Sequence, residues 1–411
     1  MIKSLHNSKQ MYCNKYPLIL IGFILLFYPM LFAQEKSPHR KNNLLESLNT
    51  YNSFSLNTDP GLFENDTISE NNHKKDSIDT KFEPLLIMSY DSNTGFGYGA
   101  KAFLLNFLHT RESWDIIVFL STKGEKWFRI LFSMPDFELR QGTVYPGAVD
   151  FLFDYNKYVV YNFFGVGNDS KVEDKEIYTR LAVETSAIFS RGFTEWLVAQ
   201  IGFKYKKIES WNFEDQGQLI DLLPSQNRPL MEFSTIYMNL RYDMRDSYIH
   251  PTRGVVLQAD LDWTPNISWN DLYFYQWSLW IQYYTPISLA NTVFAARFGT
   301  MNIVGDNLPI QLFIPIGSNR TLRGYPQDRF LDKSAGLLNL ELRFPIYWRF
   351  GGLIGADFGR VWHSFDQFSL DNWHSNAVAG LRFYMDTYVV RVDVGISQET
   401  FGIYFNFGHI F

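Results

Sequence analysis

The 411 residues include 37 Phe, 24 Tyr and 11 Trp, while only 19% are charged, against about a quarter in ordinary soluble domains. Such a chain has much apolar surface and few charges to dissolve it. The net charge of −6 is too mild to imply a nucleic-acid partner, and the single cysteine, Cys13, falls in the leader described next, so no disulfide, thiolate nucleophile or cysteine metal site is expected beyond it.

Residues 1–33 read as a secretory signal peptide. Lys3, Lys9 and Lys15 form a positive start, and an apolar stretch from Pro17 to Phe32 ends at Ala33. Pro29 interrupts that stretch, and it is shorter than the roughly 20 apolar residues a membrane-spanning helix needs. Cys13 precedes the apolar run, so it is not placed as a lipoprotein's acylated cysteine. Residues 34–81 change character: Lys, Asn, Ser, Asp and Glu dominate, as in a disordered polar linker on the periplasmic side. No further run of about 18 apolar residues follows, so a bilayer crossing by the rest of the chain requires a closed β-barrel.

From residue 82 to 411 the dominant signal is alternation with a period of two. Val255, Leu257, Ala259, Leu261 and Trp263 share one face, with Gln258, Asp260 and Asp262 on the other. The same split recurs at Leu338, Leu340, Leu342 and Phe344 against Asn339, Glu341 and Arg343, and at Val390, Val392 and Val394 against Arg391 and Asp393. A soluble sandwich would bury the apolar face, whereas a membrane barrel turns it to lipid. Strand lengths near 10 residues, aromatics near strand ends (Trp114, Trp127, Trp263 and Trp362) and charges of both signs on the polar face favour the barrel. The predicted strands are 83–90, 96–107, 112–121, 126–134, 146–155, 176–189, 195–208, 230–243, 254–264, 271–285, 291–303, 335–345, 353–362, 376–385, 389–397 and 401–411. That makes an all-β, transmembrane antiparallel barrel of about 16 strands, an even number that keeps both termini on the periplasmic side.

Strand parity places Arg241, Asp243, Asp260, Asp262, Glu341, Arg343, Asp357, Arg382, Arg391 and Asp393 inward. Charges in a low-dielectric enclosure must be paired, and their near balance predicts a crosslinked, plugged lumen over a wide pore selecting one ion sign. The stretch Val304 to Ser334 is too long for a turn and rich in Gly, Pro and Arg, and a loop of this length is expected to be either functional or disordered. On the last strand, Phe401, Ile403, Phe405, Phe407, His409 and Phe411 share a predicted outward face, and Phe407 and Phe411 read as a terminal-strand signal for the barrel insertion machinery. The eight His are scattered without metal-ligand spacing, so neither catalysis, metal nor cofactor is expected.

GSNRTLRGYP at 317–326 resembles the sixth-loop signature of the BamA/TamA-like outer-membrane assembly and translocation barrels, the bacterial surface antigen family, whose core here is Arg323, Gly324 and Tyr325. RYDMRDSYIHPTRG at 241–254 is similar to the family's Asp-x-Arg-Asp and Pro-x-x-Gly hairpin. NLELRFPI at 339–346, GADFGRVW at 355–362, AGLRFYMDTYVVRVDVG at 379–395 and NFFGVGNDS at 162–170 resemble further motifs of that family. The resemblance implies that the long loop folds into the lumen and that Arg323 meets acids there, with Asp357 and Glu341 at the matching positions. It implies an outer-membrane location, a lipid surround, and roles in membrane biogenesis or translocation of protein or lipid. Members that insert or secrete proteins carry POTRA domains before the barrel, and the 48 residues from 34 to 81 are too few for one. Client capture by strand addition to such a domain is thus not expected from this chain, and separate periplasmic partner proteins are. A passive or gated solute channel remains open as a second function, as does a structural or surface-interaction barrel working through loops such as 169–176 and 211–227.

Overall fold

The computed structural model describes residues 80–411 apart from 92–94, 216, 223–228, 271, 290 and 385–388. The expected leader, 1–33, and nearly all of the expected polar linker, 34–81, lie outside the described residues. Among the described residues, sixteen strands form one antiparallel sheet in which successive strands of the sheet are spatial neighbours. The first half comprises β1 (Lys81–Asp91), β2 (Gly95–Leu105), β3 (Ser113–Ser121), β4 (Lys126–Met134), β5 (Tyr145–Phe163), β6 (Glu176–Gly192), β7 (Leu197–Trp211) and β8 (Leu230–Asp243). It continues through β9 (Gly254–Thr264), β10 (Phe274–Pro286) and β11 (Val293–Gly305). A short hairpin of β12 (Ile314–Ile316) and β13 (Phe330–Asp332) interrupts the order, which resumes with β14 (Ser334–Tyr347), β15 (Phe350–Trp362), β16 (His374–Tyr384), β17 (Val389–Ser397) and β18 (Phe401–Phe407).

Chords across the sheet show that it is rolled into a barrel. Asn168, between β5 and β6, donates to the carbonyl of Val361 on β15 at 2.7 Å. At the other end, residues after β18 reach Arg297 on β11 and pack on Val256 and Tyr284 of β9 and β10.

The two faces are distributed inversely to a soluble protein. Phe82, Leu86, Phe151, Ile201, Phe203, Ile281, Ile354, Leu381 and Ile403 are exposed, whereas Lys101, Arg129, Asp150, Asp260, Glu341, Arg343, Asp357 and Arg382 are buried. Leaving large apolar side chains outside while enclosing charges is unfavourable in water and favourable in a bilayer, where lipid covers the outer face. Enclosed charges find partners on neighbouring strands, as in Lys101–Asp115 at 3.0 Å and Lys206–Glu184 at 3.0 Å. Arg140, on a single helical turn between β4 and β5, grips Asp150 through two nitrogens at 2.6 and 3.0 Å.

Two expectations are corrected. The last strand ends at Phe407, and Gly408, at φ +75°, turns the chain off the sheet. His409 and Phe411 are therefore buried at 7% and 3% exposure instead of facing outward. The Phe411 ring lies 5.2 and 5.0 Å from the Arg297 and Arg343 guanidinium carbons, a cation–π and apolar setting that outcompetes continued strand pairing. Trp127 likewise faces inward beside Arg129, packed on Ile87, Ile117 and Phe119, with its indole N–H donating to Asp154 at 3.1 Å. An indole buried among charges needs such an acceptor, and alternation puts one on the next strand.

Candidate functional site

The segment between β11 and β14 builds the centre of the barrel. Ile314, Ile316 and Phe330 of its small hairpin, β12 with β13, pack with Leu322 and Tyr325 of the intervening tip against wall residues Met301, Leu337 and Val361. This apolar base holds the loop over the interior and leaves residues 317–329 to project inward. Thr321 closes the first part of that tip, its hydroxyl accepting from the Gly317 N–H at 2.8 Å. At Gly324, φ is +88°, and a Cβ would stand 2.8 Å from the Gly395 carbonyl carbon on β17. Gly395 is the reciprocal requirement: a Cβ there would meet the Gly324 nitrogen at 2.5 Å. Only two glycines allow the loop and wall backbones this approach.

Arg323 is fully enclosed. Its Nε and Nη2 donate to the two oxygens of Asp357 at 2.9 and 2.8 Å, and its main-chain N–H donates to the same carboxylate at 3.1 Å. The remaining nitrogen, Nη1, lies 2.9 Å from Glu341 and 3.2 Å from Asp393. Burial alone would lower the Arg323 pKa, but Asp357 and Glu341 outweigh it and hold the group well above its ordinary value. The cation is fixed, and the planar fork matches the carboxylate. Asp357 is held in turn: Asn339 donates to one oxygen at 2.8 Å and Asn376 to the other at 3.0 Å. Gly324 donates its N–H to the Tyr404 hydroxyl at 2.9 Å, and its carbonyl accepts from Ser397 and Thr400 at 3.0 and 2.9 Å. The Tyr325 hydroxyl donates to the Ser375 carbonyl at 3.2 Å while its ring meets Phe330.

The inward charges divide into two groups. Glu341, Arg343, Arg382, Arg391 and Asp393 gather around Arg323: Arg343 pairs with Glu341 at 2.7 Å, and Asp393 faces Arg382 and Arg391. Arg241, Asp243, Asp260 and Asp262 lie apart, on β8 and β9. There Asp243 takes Arg241 and Arg245 at 2.8 and 2.9 Å, Asp262 pairs with Lys204 at 3.0 Å, and Asp260 accepts from Tyr237, Asn239 and Ser278. The 241–254 hairpin is a rim structure, with Asp246 accepting from the Thr252 and Arg253 main-chain N–H groups. Phe411 lies inside the lumen, and Phe407 ends β18.

Sequence reasoning missed Arg329. At 2% exposure it donates to both oxygens of Glu399 at 2.7 Å and to the carbonyl of Ser170 at 2.6 Å. It thereby ties the loop to the connections β5–β6 and β17–β18. Asn168 and Gly167, within NFFGVGNDS, complete that tie through Val361 and Leu331. Beneath the loop, on the β6–β11 side, lies a cavity of about 420 Å³ whose lining includes Lys204, Lys206, Trp280, Arg297, Arg391 and Phe411.

A loop docked by a buried arginine inside an up-and-down barrel coincides with the family comparison: residues 106–411 match the Omp85 superfamily domain. The chain belongs to the Omp85 superfamily. No curated protein matches it in sequence. Among solved structures, BamA from Haemophilus ducreyi lacking POTRA domains 1–3 has a TM-score of 0.59 at 14% identity, over 80% of this chain and 69% of that one. CdiB from Acinetobacter baumannii gives 0.53 at 14% identity and CdiB from Escherichia coli 0.57 at 12%. This chain spans 59% and 62% of the length of those two CdiB chains. At such identities the likeness is one of fold. This Omp85 chain is an outer-membrane β-barrel.

Proposed function

We propose that this Omp85 barrel acts in outer-membrane biogenesis, assisting insertion or translocation of protein or lipid together with periplasmic proteins that are separate chains. The observation that carries this reading is the loop itself. Arg323, Gly324 and Tyr325 lock residues 317–329 onto β15, β18 and β16 in turn, occupying space that a passive diffusion pore would leave open. In this reading Asp357 and Glu341 are the docking acids, the remaining lumen charges set the shape of the interior, and no residue is assigned a catalytic role. An arginine bound by three carboxylates is a strong but local latch, suited to a plug that holds its barrel in one shape.

Conditional depletion in the source bacterium, followed by quantitative proteomics of its outer membrane, tests the role. Loss of other barrel proteins, or of surface lipid, is the expected result. An outer membrane unchanged except for small-solute permeability would favour a channel instead. Photo-crosslinkers placed along residues 34–81 should capture periplasmic proteins if partners are recruited there, and their failure to capture any would remove the partner claim.

A further inference from the structure

The lumen around Arg323 holds more positive than negative charge. Among the described residues Arg297, Arg323, Arg343, Arg382 and Arg391 share three acids, Glu341, Asp357 and Asp393. Even a carboxylate on Phe411 would leave the cluster cationic. Arg343 and Arg382 are 1% exposed and Arg391 is 3% exposed. Guanidinium groups do not neutralise by losing a proton, so an enclosed excess calls for a counter-charge.

The same three arginines have donors to spare. Nη1 of Arg343, Nε and Nη2 of Arg382, and Nε and Nη1 of Arg391 are buried and meet no hydrogen-bond acceptor. Arg391 Nη1 stands 3.6 Å from Asp393, whose oxygens are already engaged by Arg323 and Arg382. Arg382 and Arg391 face each other across β16 and β17, and the His409 ring lies in the field of all three guanidinium groups; burial and those charges depress its pKa well below the ordinary histidine value. Its Nδ1 is buried without a partner, while Nε2 faces His250 Nδ1 at 3.4 Å. If His250 donates across that contact, the proton of neutral His409 sits on Nδ1, making it a sixth donor.

We propose that Arg343, Arg382 and Arg391, closed by His409, bind a phosphate-type oxyanion at the end of the lumen that carries the chain's last residues. A phosphate offers several acceptor oxygens to guanidinium forks and supplies the missing negative charge. Arg391 and His409 also line the 420 Å³ cavity, whose lining includes Phe233, Phe274 and Trp280, leaving room for a small organic moiety attached to the phosphate. Free phosphate, a phosphate ester and a phospholipid headgroup share this chemistry.

The test uses the full chain refolded in nonionic detergent without phosphate. Calorimetric titration with inorganic phosphate is one arm, and titration with phosphatidylglycerol-doped micelles is the other. Saturable binding in either arm, weakened at least tenfold by Arg391→Gln and by Arg382→Gln, is the expected result. Binding in the first arm identifies a soluble phosphate, and binding in the second alone identifies a lipid headgroup. Unboiled gel mobility verifies that each variant is a folded barrel. Should the variants fail to fold, phenylglyoxal labelling of Arg391 in the unsubstituted protein, read by mass spectrometry, replaces them, and phosphate or lipid should protect it. No saturable binding in either arm, unchanged affinity in folded variants, or no protection overturns the assignment.

Discussion

Asp357 takes three donors from one residue, which makes Arg323 and Asp357 the most strongly coupled pair in the loop. Removing one member of a buried ion pair strands the other, at about 3 to 5 kcal/mol. Arg323→Ala and Asp357→Ala should each lose about that much in urea unfolding of the refolded barrel, and the double variant far less than the sum, since both break one contact. Additive losses would show that the pair does not latch the loop. Gly395→Ala is a sharper probe, because Gly395 makes no side-chain bond of its own, yet a methyl there collides with the Gly324 nitrogen and the Arg323 backbone. It should free the loop to proteases as completely as Arg323→Ala. The arginine and two acids were legible from the motif and strand parity. Asp393, Asn339 and Asn376 were not singled out as partners, because parity says which side chains face inward but not which of them converge.

At the scale of elements, the loop and the segment after β18 share the interior, and each has its own sensitivity. Asp328, at the loop tip, is lifted by burial to about 6, with Arg180 offsetting only part of the rise. A raised carboxyl favours the protonated, docked form. Its contribution is complete below the ordinary value of 3.8 and is lost as pH climbs through about 6. Hydrogen exchange of residues 318–328 should therefore be slowest near pH 4 and quicken toward pH 7 beyond the intrinsic trend, and Asp328→Asn should flatten the profile. The Phe411 ring is held by Tyr284, Arg297 and Arg343, and Phe-to-Ala changes at buried sites cost about 3 to 5 kcal/mol. Phe411→Ala should lower the folded, heat-modifiable fraction by destabilising the lumen, and Phe411→Trp should keep most of it. Full stability of the alanine variant would show that the inward turn at Gly408 contributes little.

For the whole molecule, the interior contacts predict electrical behaviour. Arg329 ties the loop to the β5–β6 and β17–β18 connections, Asn168 bridges to β15, and residues beyond β18 occupy the opposite end. Planar bilayers containing the protein should show small, flickering currents. Gly395→Ala should convert these to larger and longer openings, because it frees the plug without altering the wall's charges. A large stable conductance in the unsubstituted protein would contradict a plugged barrel and return the solute channel as the better reading.

The sequence by itself determined the strands and the sidedness of the barrel: sixteen alternating segments match the sixteen strands of the main sheet, since period-two patterning reports directly which face meets lipid. It also marked the loop, whose glycine-flanked arginine stands out from its surroundings. Local pattern could not decide where the last strand stops. Phe411 continues the alternation in sequence, yet Gly408 at φ +75° and two arginines on distant strands draw it inside. Nor could it separate the inward charges into two groups, or reveal that five arginines share three acids. Those facts depend on which strands face one another across the lumen, a distance relation that exists only once the sheet has rolled.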